Sequence, residues 1–101
     1  MVRPASKNEL LPGTLEMLIL QTLTRSAAHG YGIAQHIQQV SREALRIGEG
    51  SLYPALQRLL RDDCVAAEWD VTENNRRARY YRITRAGLKA LERLADGSEE
   101  E

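Results

Sequence analysis

The chain has 101 residues, of which 43% are hydrophobic and 28% are charged, and its 14 basic and 14 acidic side chains give a formal net charge of zero. This composition excludes a disordered chain and indicates one globular domain. A single cysteine, Cys64, excludes an internal disulfide, and no apolar run is long enough for a signal peptide or a membrane span, so we expect a cytoplasmic protein with no membrane contact.

Residues 1–10 show no periodicity and predict a flexible N-terminal arm. Pro12 and Thr14 then mark the start of a first helix, which we expect to end near Ser26. Apolar residues recur along it at helical spacing and give it a wide apolar surface, which favours burial against a second subunit as well as in the core. The residues of this helix that we expect at a dimer interface are Leu15, Leu18 and Ile19.

A second helix is predicted from Gly30 to about Ser41, after a short connector over residues 27–30. Its inner face is formed by Ile33, Ile37 and Val40. His29 and His36 lie in the same region, seven positions apart, but no acidic residue or cysteine nearby completes a set of three or four metal ligands. We therefore expect no metal and no cofactor, and interpret the two histidines as capping or surface residues.

A third helix is predicted over residues 50–62, with Gly48 or Ser51 as its cap and Pro54 in its first turn. One face carries leucines, namely Leu52, Leu56, Leu59 and Leu60. The opposite face carries Ser51, Pro54, Gln57, Arg58 and Arg61. Such a helix is either a solvated surface helix or a helix that lies in the major groove of DNA. Two short helices joined by a compact turn match the helix-turn-helix outline.

Beyond this helix the period changes, which predicts a β-hairpin with strands Val65–Trp69 and Arg79–Ile83 and a turn at Asn74–Asn75. The segment 73–85 carries five arginines and one acid although the whole chain is neutral, and a local basic patch favours anion binding. Within a basic wing over residues 70–82, the arginines expected to neutralise phosphates or to enter the minor groove are Arg76, Arg77 and Arg79. The alternative is a charge pattern that protects an edge strand from aggregation.

The last helix is predicted over residues 84–96, with Thr84 as its N-cap and Gly97 as its stop. A stripe of apolar residues on one side of it must be covered, and in so small a protein we expect a second subunit to cover it. The stripe consists of Leu88, Leu91 and Leu94. Residues 97–101 predict a disordered acidic tail.

Four segments resemble the PadR-like transcriptional regulators in content and order: GTLEMLIL, HGYGIAQHI, GSLYPALQRL and YYRITRAGLKAL. The resemblance extends over about residues 11–95, and its most specific part is LYPALQRL followed by YYRIT. It implies a mainly α fold with a small two-stranded β-wing (α+β), in which a winged helix-turn-helix over residues 11–83 binds DNA and a C-terminal helix over 84–96 forms a homodimer. With one C-terminal helix, the chain is similar to the short subfamily.

The resemblance further implies a repressor that binds a palindromic operator with the recognition helix over residues 50–62. The expected DNA-contacting residues are Tyr31, Ser51, Tyr53, Pro54, Gln57, Arg58, Arg61, Arg76, Arg77 and Arg79. For Tyr31 and Tyr53, packing within the domain is an equally good interpretation. Drug-binding members of the family use tryptophans near the dimer centre, but Trp69 is predicted on the first wing strand, so an aromatic drug pocket is not expected.

Two other function classes fit the sequence less well. A winged helix can be a protein-interaction module without DNA binding, but such a module is expected to expose apolar residues, not Gln57, Arg58 and Arg61, on its third helix. An enzyme needs a nucleophile with a base, paired carboxylates or a metal, and Cys64 has no companion histidine at a suitable spacing. The expected partners are therefore double-stranded DNA and a second copy of the chain, and the sequence leaves open whether a small-molecule effector, of unknown identity, also binds.

Overall fold

The structure is a computed structural model that describes residues 12–96 of the chain. Its elements are, in order, α1 (Pro12–Leu23), β1 (Ala28–His29), α2 (Gly30–Val40), α3 (Glu49–Arg61), β2 (Val65–Val71), β3 (Arg77–Ile83) and α4 (Arg85–Asp96). All four predicted helices and the predicted hairpin are present. The predicted arm over residues 1–10, the stop at Gly97 and the acidic tail over 97–101 lie outside the described residues.

One hydrophobic core holds the helices and the sheet together. Its largest fully buried side chains are Ile19, Leu20, Ile33, Ile37 and Leu56. α1 is central to it, because this helix contacts α2, α3, α4 and β3. The leucine stripe of α3 is confirmed, since Leu52, Leu56 and Leu59 are buried and Leu60 packs against them.

The end of α2 differs from the prediction. The sequence predicts Val40 on the inner face, but it is 57% exposed. It is the last residue of the helix, and the chain turns away directly after it through Arg42 and Glu43, whose φ angles of 56° and 72° are left-handed. The helical period therefore stops before it can bring Val40 against the core.

The connector before α2 contains a short strand that the sequence did not predict. In β1, Ala28 pairs with Tyr81 of β3 and His29 pairs with Tyr80, so the sheet has three antiparallel strands in the order β1-β3-β2. The predicted two-stranded hairpin is thus joined by a third strand, which could not be predicted because a strand of two residues has no alternation to detect. His29 also caps α2, since its Nδ1 accepts a hydrogen bond from the backbone N–H of Gly32 at 3.1 Å.

α3 begins at Glu49 with Gly48 as its N-cap, and no side chain caps it. Pro54 is consequently the sixth residue of the helix and lies in its second turn, not in the first turn as predicted. Proline there removes one backbone hydrogen bond, the one to the carbonyl of Gly50. Gly50 is exposed, so water can replace the missing donor.

The end of α3 follows a regular capping pattern. Asp63 has a left-handed φ of 61°. Its N–H donates to the carbonyl of Leu60 at 3.0 Å, and the N–H of Cys64 donates to the carbonyl of Leu59 at 2.8 Å. These two bonds form a Schellman motif, in which glycine is the commonest residue at the left-handed position.

The start of α4 is fixed to this turn, and we call the two segments together, residues 62–64 and 84–87, the α4 junction. Thr84 is confirmed as the N-cap, since its Oγ1 accepts from the N–H of Gly87 at 3.0 Å. The same hydroxyl donates to the carbonyl of Asp63 at 2.6 Å, and the N–H of Thr84 donates to the carbonyl of Cys64 at 3.0 Å. Gly87 packs so closely that an added Cβ would lie 2.1 Å from the carbonyl oxygen of Cys64.

The hairpin formed by β2, β3 and their turn, residues 65–83, is the wing. The turn lies where the sequence predicts it, and Asn75 there has a left-handed φ of 63°. Thr72 closes the turn, because its Oγ1 accepts from the N–H groups of Asn74 and Arg76 and its own N–H donates to the carbonyl of Arg76. Asparagine tolerates the left-handed region better than most residues, which explains its position.

Candidate nucleic-acid interface

An open cleft of about 520 Å³ lies between the wing, α3 and the start of α2. Aromatic and basic side chains dominate its lining. The lining residues are His29, Gly30, Tyr31, Tyr53, Gln57, Trp69, Arg77, Ala78, Arg79 and Tyr81. Five of the ten residues predicted to contact DNA, namely Tyr31, Tyr53, Gln57, Arg77 and Arg79, therefore surround one cleft.

The register of the sheet determines which wing residues line the cleft. In an antiparallel pair, opposite residues project from the same face. Val65 and Tyr81 are buried in the core, so their face is the one that turns toward α3. The pairs further out on this face are Trp69 with Arg79 and Val71 with Arg77.

Trp69 is a component of the cleft that the site prediction lacked. Its side chain is 59% exposed, and the guanidinium carbon of Arg77 lies 5.0 Å from its ring centre. This cation–π contact holds the arginine against the tryptophan, on the wall of the cleft. Alternate residues of a strand share a face, so Val65, Ala67, Trp69 and Val71 lie on one side of β2. Because Val65 faces the core, this alternation predicts that Trp69 lies on the same side, which is the side of the cleft.

Tyr53 and Tyr31 form the other side of the cleft. Tyr53 is 41% exposed and Tyr31 is 68% exposed, so neither is a buried core residue. A Cβ added at Gly30 would lie 2.9 Å from the hydroxyl oxygen of Tyr53. Glycine at position 30 therefore gives the phenol of Tyr53 room beside the first turn of α2.

The outer side of α3 carries the remaining predicted contacts of this helix. At 100° per residue, Pro54, Gln57 and Arg61 fall on one stripe, and all three are exposed. Ser51 is half-buried at the edge of this stripe. Arg61 lies 3.8 Å from Asp62 in an exposed ion pair, which holds the arginine only weakly.

Arg58 occupies a different environment from the other predicted DNA contacts. Its Nε lies 2.6 Å from Oε2 of Glu16 on α1, and the side chain is 35% exposed. On α3 it lies 100° round from Gln57, on the flank that meets α1 and not on the flank that meets the wing. The structure therefore places Arg58 beside the exposed stripe and outside the cleft.

Arg76 also lies apart from the cleft. It is exposed next to the wing turn and lines a second depression of about 610 Å³, together with Thr72, Tyr80 and the start of α2. Arg77 lines this depression as well as the cleft, whereas Arg76, which lies in the turn before β3, lines the depression but not the cleft. Basic groups thus line both depressions at the tip of the wing.

Burial affects two titrating groups near these elements. Burial raises the pKa of the Tyr81 phenol. Burial also raises the pKa of the Cys64 thiol, and the nearby carboxylate of Asp62 adds to the effect. Cys64 is therefore an unreactive packing residue of the α4 junction. Among residues 12–96 there is no group of three or more metal-ligating side chains.

Residues 19–93 match the sequence profile of the transcriptional regulator PadR-like family. The chain belongs to this family. It is 34% identical over 83 residues to the transcriptional regulator Rv3488 of Mycobacterium tuberculosis, and the match covers 82% of this chain and 74% of that protein. PadR-like regulators bind DNA, and the predicted family membership is confirmed.

Solved structures of PadR-like and related regulators share the fold. A transcriptional regulator from Clostridium thermocellum superposes with a TM-score of 0.77 at 30% identity, covering 86% of this chain and 84% of that one. A PadR family transcriptional regulator from Eggerthella lenta superposes with a TM-score of 0.69 at 33% identity, covering 84% of this chain and 71% of that one. The winged-helix fold that the PadR resemblance implies is therefore confirmed.

The apolar residues predicted at a PadR-like dimer interface fall into two groups, which differ in their exposure. Leu15 and Ile19 are 4% and 0% exposed, because they fill the core of the chain itself, and they are not available to a partner. Leu88 is 48% exposed, whereas Leu18, Leu91 and Leu94 are half-buried at the edge of the core.

No helix within residues 12–96 has the length and hydrophobicity needed to cross a membrane.

Proposed function

We propose that this PadR-like regulator is a homodimeric repressor that binds a palindromic DNA operator through α3 and the wing. The observation that carries the proposal is the arrangement of the cleft: Gln57 of α3 and the wing residues Arg77 and Arg79 line its two sides. A B-DNA major groove admits one α-helix, and basic residues beside that helix can neutralise the phosphates that border the groove.

In this arrangement the stripe of α3 enters the major groove. Gln57 is exposed at its centre and has both a donor and an acceptor, so it can hydrogen-bond the edge of an adenine. The pair of Arg61 with Asp62 is weak and exposed, so the arginine can exchange it for a contact to a base or a phosphate. Ser51 lies in the first turn of the helix, where a phosphate is favoured by the helix dipole, and Pro54 follows in the second turn.

The walls of the cleft hold the DNA backbone. The hydroxyls of Tyr31 and Tyr53 can donate to phosphate oxygens from the helix side. From the wing side, Arg77 and Arg79 contact phosphates along the cleft, and Arg76 reaches the backbone from the turn at the tip of the wing. Trp69 packs against the sugar–phosphate surface and keeps Arg77 in position.

A second copy of the chain supplies the other half of the binding surface. Leu88 is exposed on α4, and Leu18, Leu91 and Leu94 lie beside it at the edge of the core. A two-fold axis through this apolar surface would present two copies of α3 to the same side of a duplex. The operator is then an inverted repeat, with half-site centres about one helical turn (~10 bp) apart or a multiple of it.

The test is selection of bound duplexes from a random pool, followed by mobility-shift titration of variants on a selected duplex. We expect inverted repeats to be enriched. Gln57→Ala should weaken binding to the selected duplex by about 1–3 kcal/mol and leave a random duplex unaffected. Arg77→Ala should weaken both duplexes and lower the slope of log affinity against log salt by about 0.9 per protomer.

Arg82→Ala is the matched control for Arg77→Ala. Both arginines are exposed on β3, but Arg82 opposes Ala66 and projects from the face that turns away from the cleft. It should bind like the wild type. Equal losses for the two variants, or no enrichment of any duplex, would overturn the proposal.

Trp69 and Tyr31 are exposed in the cleft, and Val71 is exposed opposite Arg77 on the same face of the sheet; these residues favour a second candidate, a protein-docking surface. If the cleft binds a protein, Trp69→Ala should weaken binding of that partner. The affinity for a DNA duplex should then depend only weakly on salt concentration. The selection experiment separates the two candidates, because a docking module enriches no DNA sequence.

A further inference from the structure

One ion pair joins α1 to α3 across 42 residues of sequence. Nε of Arg58 and Oε2 of Glu16 lie 2.6 Å apart, and the two side chains are only 35% and 22% exposed. The pair between Arg61 and Asp62, by contrast, is 3.8 Å long between side chains that are 69% and 64% exposed. Shielding from water makes the shorter pair the stronger one and the less sensitive to salt.

The position of Arg58 gives this pair a bearing on DNA recognition. Arg58 lies one helical turn after Pro54 and three positions before Arg61, and both of these residues are exposed on the stripe that the proposed function places in the major groove. A guanidinium has five N–H donors, and the contact from Nε uses one of them. Because the side chain is also 35% exposed, we expect its remaining donors to be accessible to a duplex docked on α3.

Glu16 changes what Arg58 can contribute there. The carboxylate cancels most of the positive charge that Arg58 would otherwise offer to any phosphate, whatever the sequence. It also fixes the orientation of the guanidinium, which reduces the entropy lost when Arg58 meets a correctly placed acceptor. The first effect weakens binding to all sequences, and the second favours the sequence whose acceptor lies in the right place.

We propose that Glu16, on a helix outside the DNA-binding cleft, is a positioning residue that determines specificity by holding Arg58. This inference rests on the proposed function. With Glu16 intact, Arg58 distinguishes sequences. Without it, Arg58 becomes a mobile cation that binds phosphates of any sequence.

The test compares Glu16→Gln with the wild type on two probes, a random-sequence duplex and a duplex selected from a random pool. We expect Glu16→Gln to bind the random duplex more tightly and to discriminate less between the two probes. Because each additional phosphate contact adds about 0.9 to the salt slope, the variant should lose about 3.5-fold more affinity per protomer than the wild type between 50 and 200 mM salt.

Glu92→Gln is the matched control, since Glu92 is exposed on α4 and its replacement changes the net charge by the same amount. It should leave two quantities at wild-type values: the salt slope, and the ratio of the affinities for the selected and the random duplex. If Glu16→Gln has the same salt slope and ratio as Glu92→Gln, the pair only holds α1 against α3 and the inference is wrong.

Arg58→Gln provides a second measurement that does not depend on the folding of Glu16→Gln. In the wild-type background it should change the salt slope by much less than Arg77→Ala does, because Glu16 already neutralises Arg58. A full loss of about 0.9 in that background would overturn the inference.

The same set of titrations separates this inference from the proposed function. If the wild type binds neither duplex, the proposed function fails and the inference fails with it. If Arg77→Ala weakens binding as expected while Glu16→Gln leaves the salt slope unchanged, the inference alone fails.

Discussion

The cleft and the α4 junction both contain a glycine in close contact with another element, but the contacts differ in kind. At Gly30 an added Cβ would meet the hydroxyl end of Tyr53, a half-exposed side chain that can move. At Gly87 it would meet the backbone carbonyl of Cys64, which is fixed by its hydrogen bond from Thr84. The fold is therefore rigid where α4 joins the domain and adaptable where the proposed DNA contacts lie.

The largest change in stability is expected at the α4 junction. In Gly87→Ala the new Cβ would lie 2.1 Å from the Cys64 carbonyl oxygen and 2.7 Å from Cγ1 of Ile83, so α4 must shift off the junction. We expect the free energy of unfolding, measured by urea denaturation, to fall by about 3 kcal/mol.

Gly50→Ala serves as the control for that experiment. Nothing lies within 4 Å of a Cβ added at Gly50, which is inside α3. Alanine there should raise the free energy of unfolding by roughly 0.5–1 kcal/mol, since it favours the helix over the unfolded chain. Similar losses in both variants would contradict the contrast between the two regions.

A smaller change in stability is expected at the cleft. Gly30→Ala should displace the phenol of Tyr53, change the free energy of unfolding by less than about 1 kcal/mol, and weaken binding to a selected duplex by about fivefold, or ~1 kcal/mol. Gly32→Ala is the control, because its Cβ would meet His29 at an ordinary distance of 3.4 Å. Unfolding of Gly30→Ala would show that the cleft is as rigid as the junction.

The smallest effect concerns the left-handed residue of the junction. Asp63 has a φ of 61°, which glycine adopts without strain. Asp63→Gly should therefore raise the free energy of unfolding by roughly 0.5 kcal/mol, and thermal melting can measure it. Asp63→Asn is the control, because it removes the same charge and keeps a side chain. If both variants raise the free energy of unfolding equally, the cause is the loss of charge and not the relief of backbone strain.

The helices of this fold could be predicted because each one buries a stripe with a strict period. Ile33 and Ile37 lie about one turn apart, Leu52, Leu56 and Leu59 extend over about two turns, and the structure buries all of them. β1 could not be found in this way, since two residues carry no period. The wing was found, but its register, which brings Trp69 to the cleft, depends on pairing between distant residues.

Several contacts of the candidate-site residues could not be predicted from the sequence, for one physical reason. Periodicity shows that Leu15 and Ile19 are covered, but it does not show whether their own chain or a partner covers them. Arg58 has the spacing of a surface arginine, and its partner Glu16 is 42 residues away, where no local pattern can reveal it. Long-range contacts, not local ones, therefore decide which polar residues of α3 are free.

The short pairing of β1 with β3 also bears on how the wing can adapt to DNA. At Tyr80 and Tyr81 the strand β3 has a neighbour on each side, whereas over residues 77–79 it pairs only with β2. A two-stranded ribbon twists more easily than a three-stranded sheet. The outer arginines can thus follow a groove as its width changes, while the base of the ribbon keeps a constant distance from the first turn of α2.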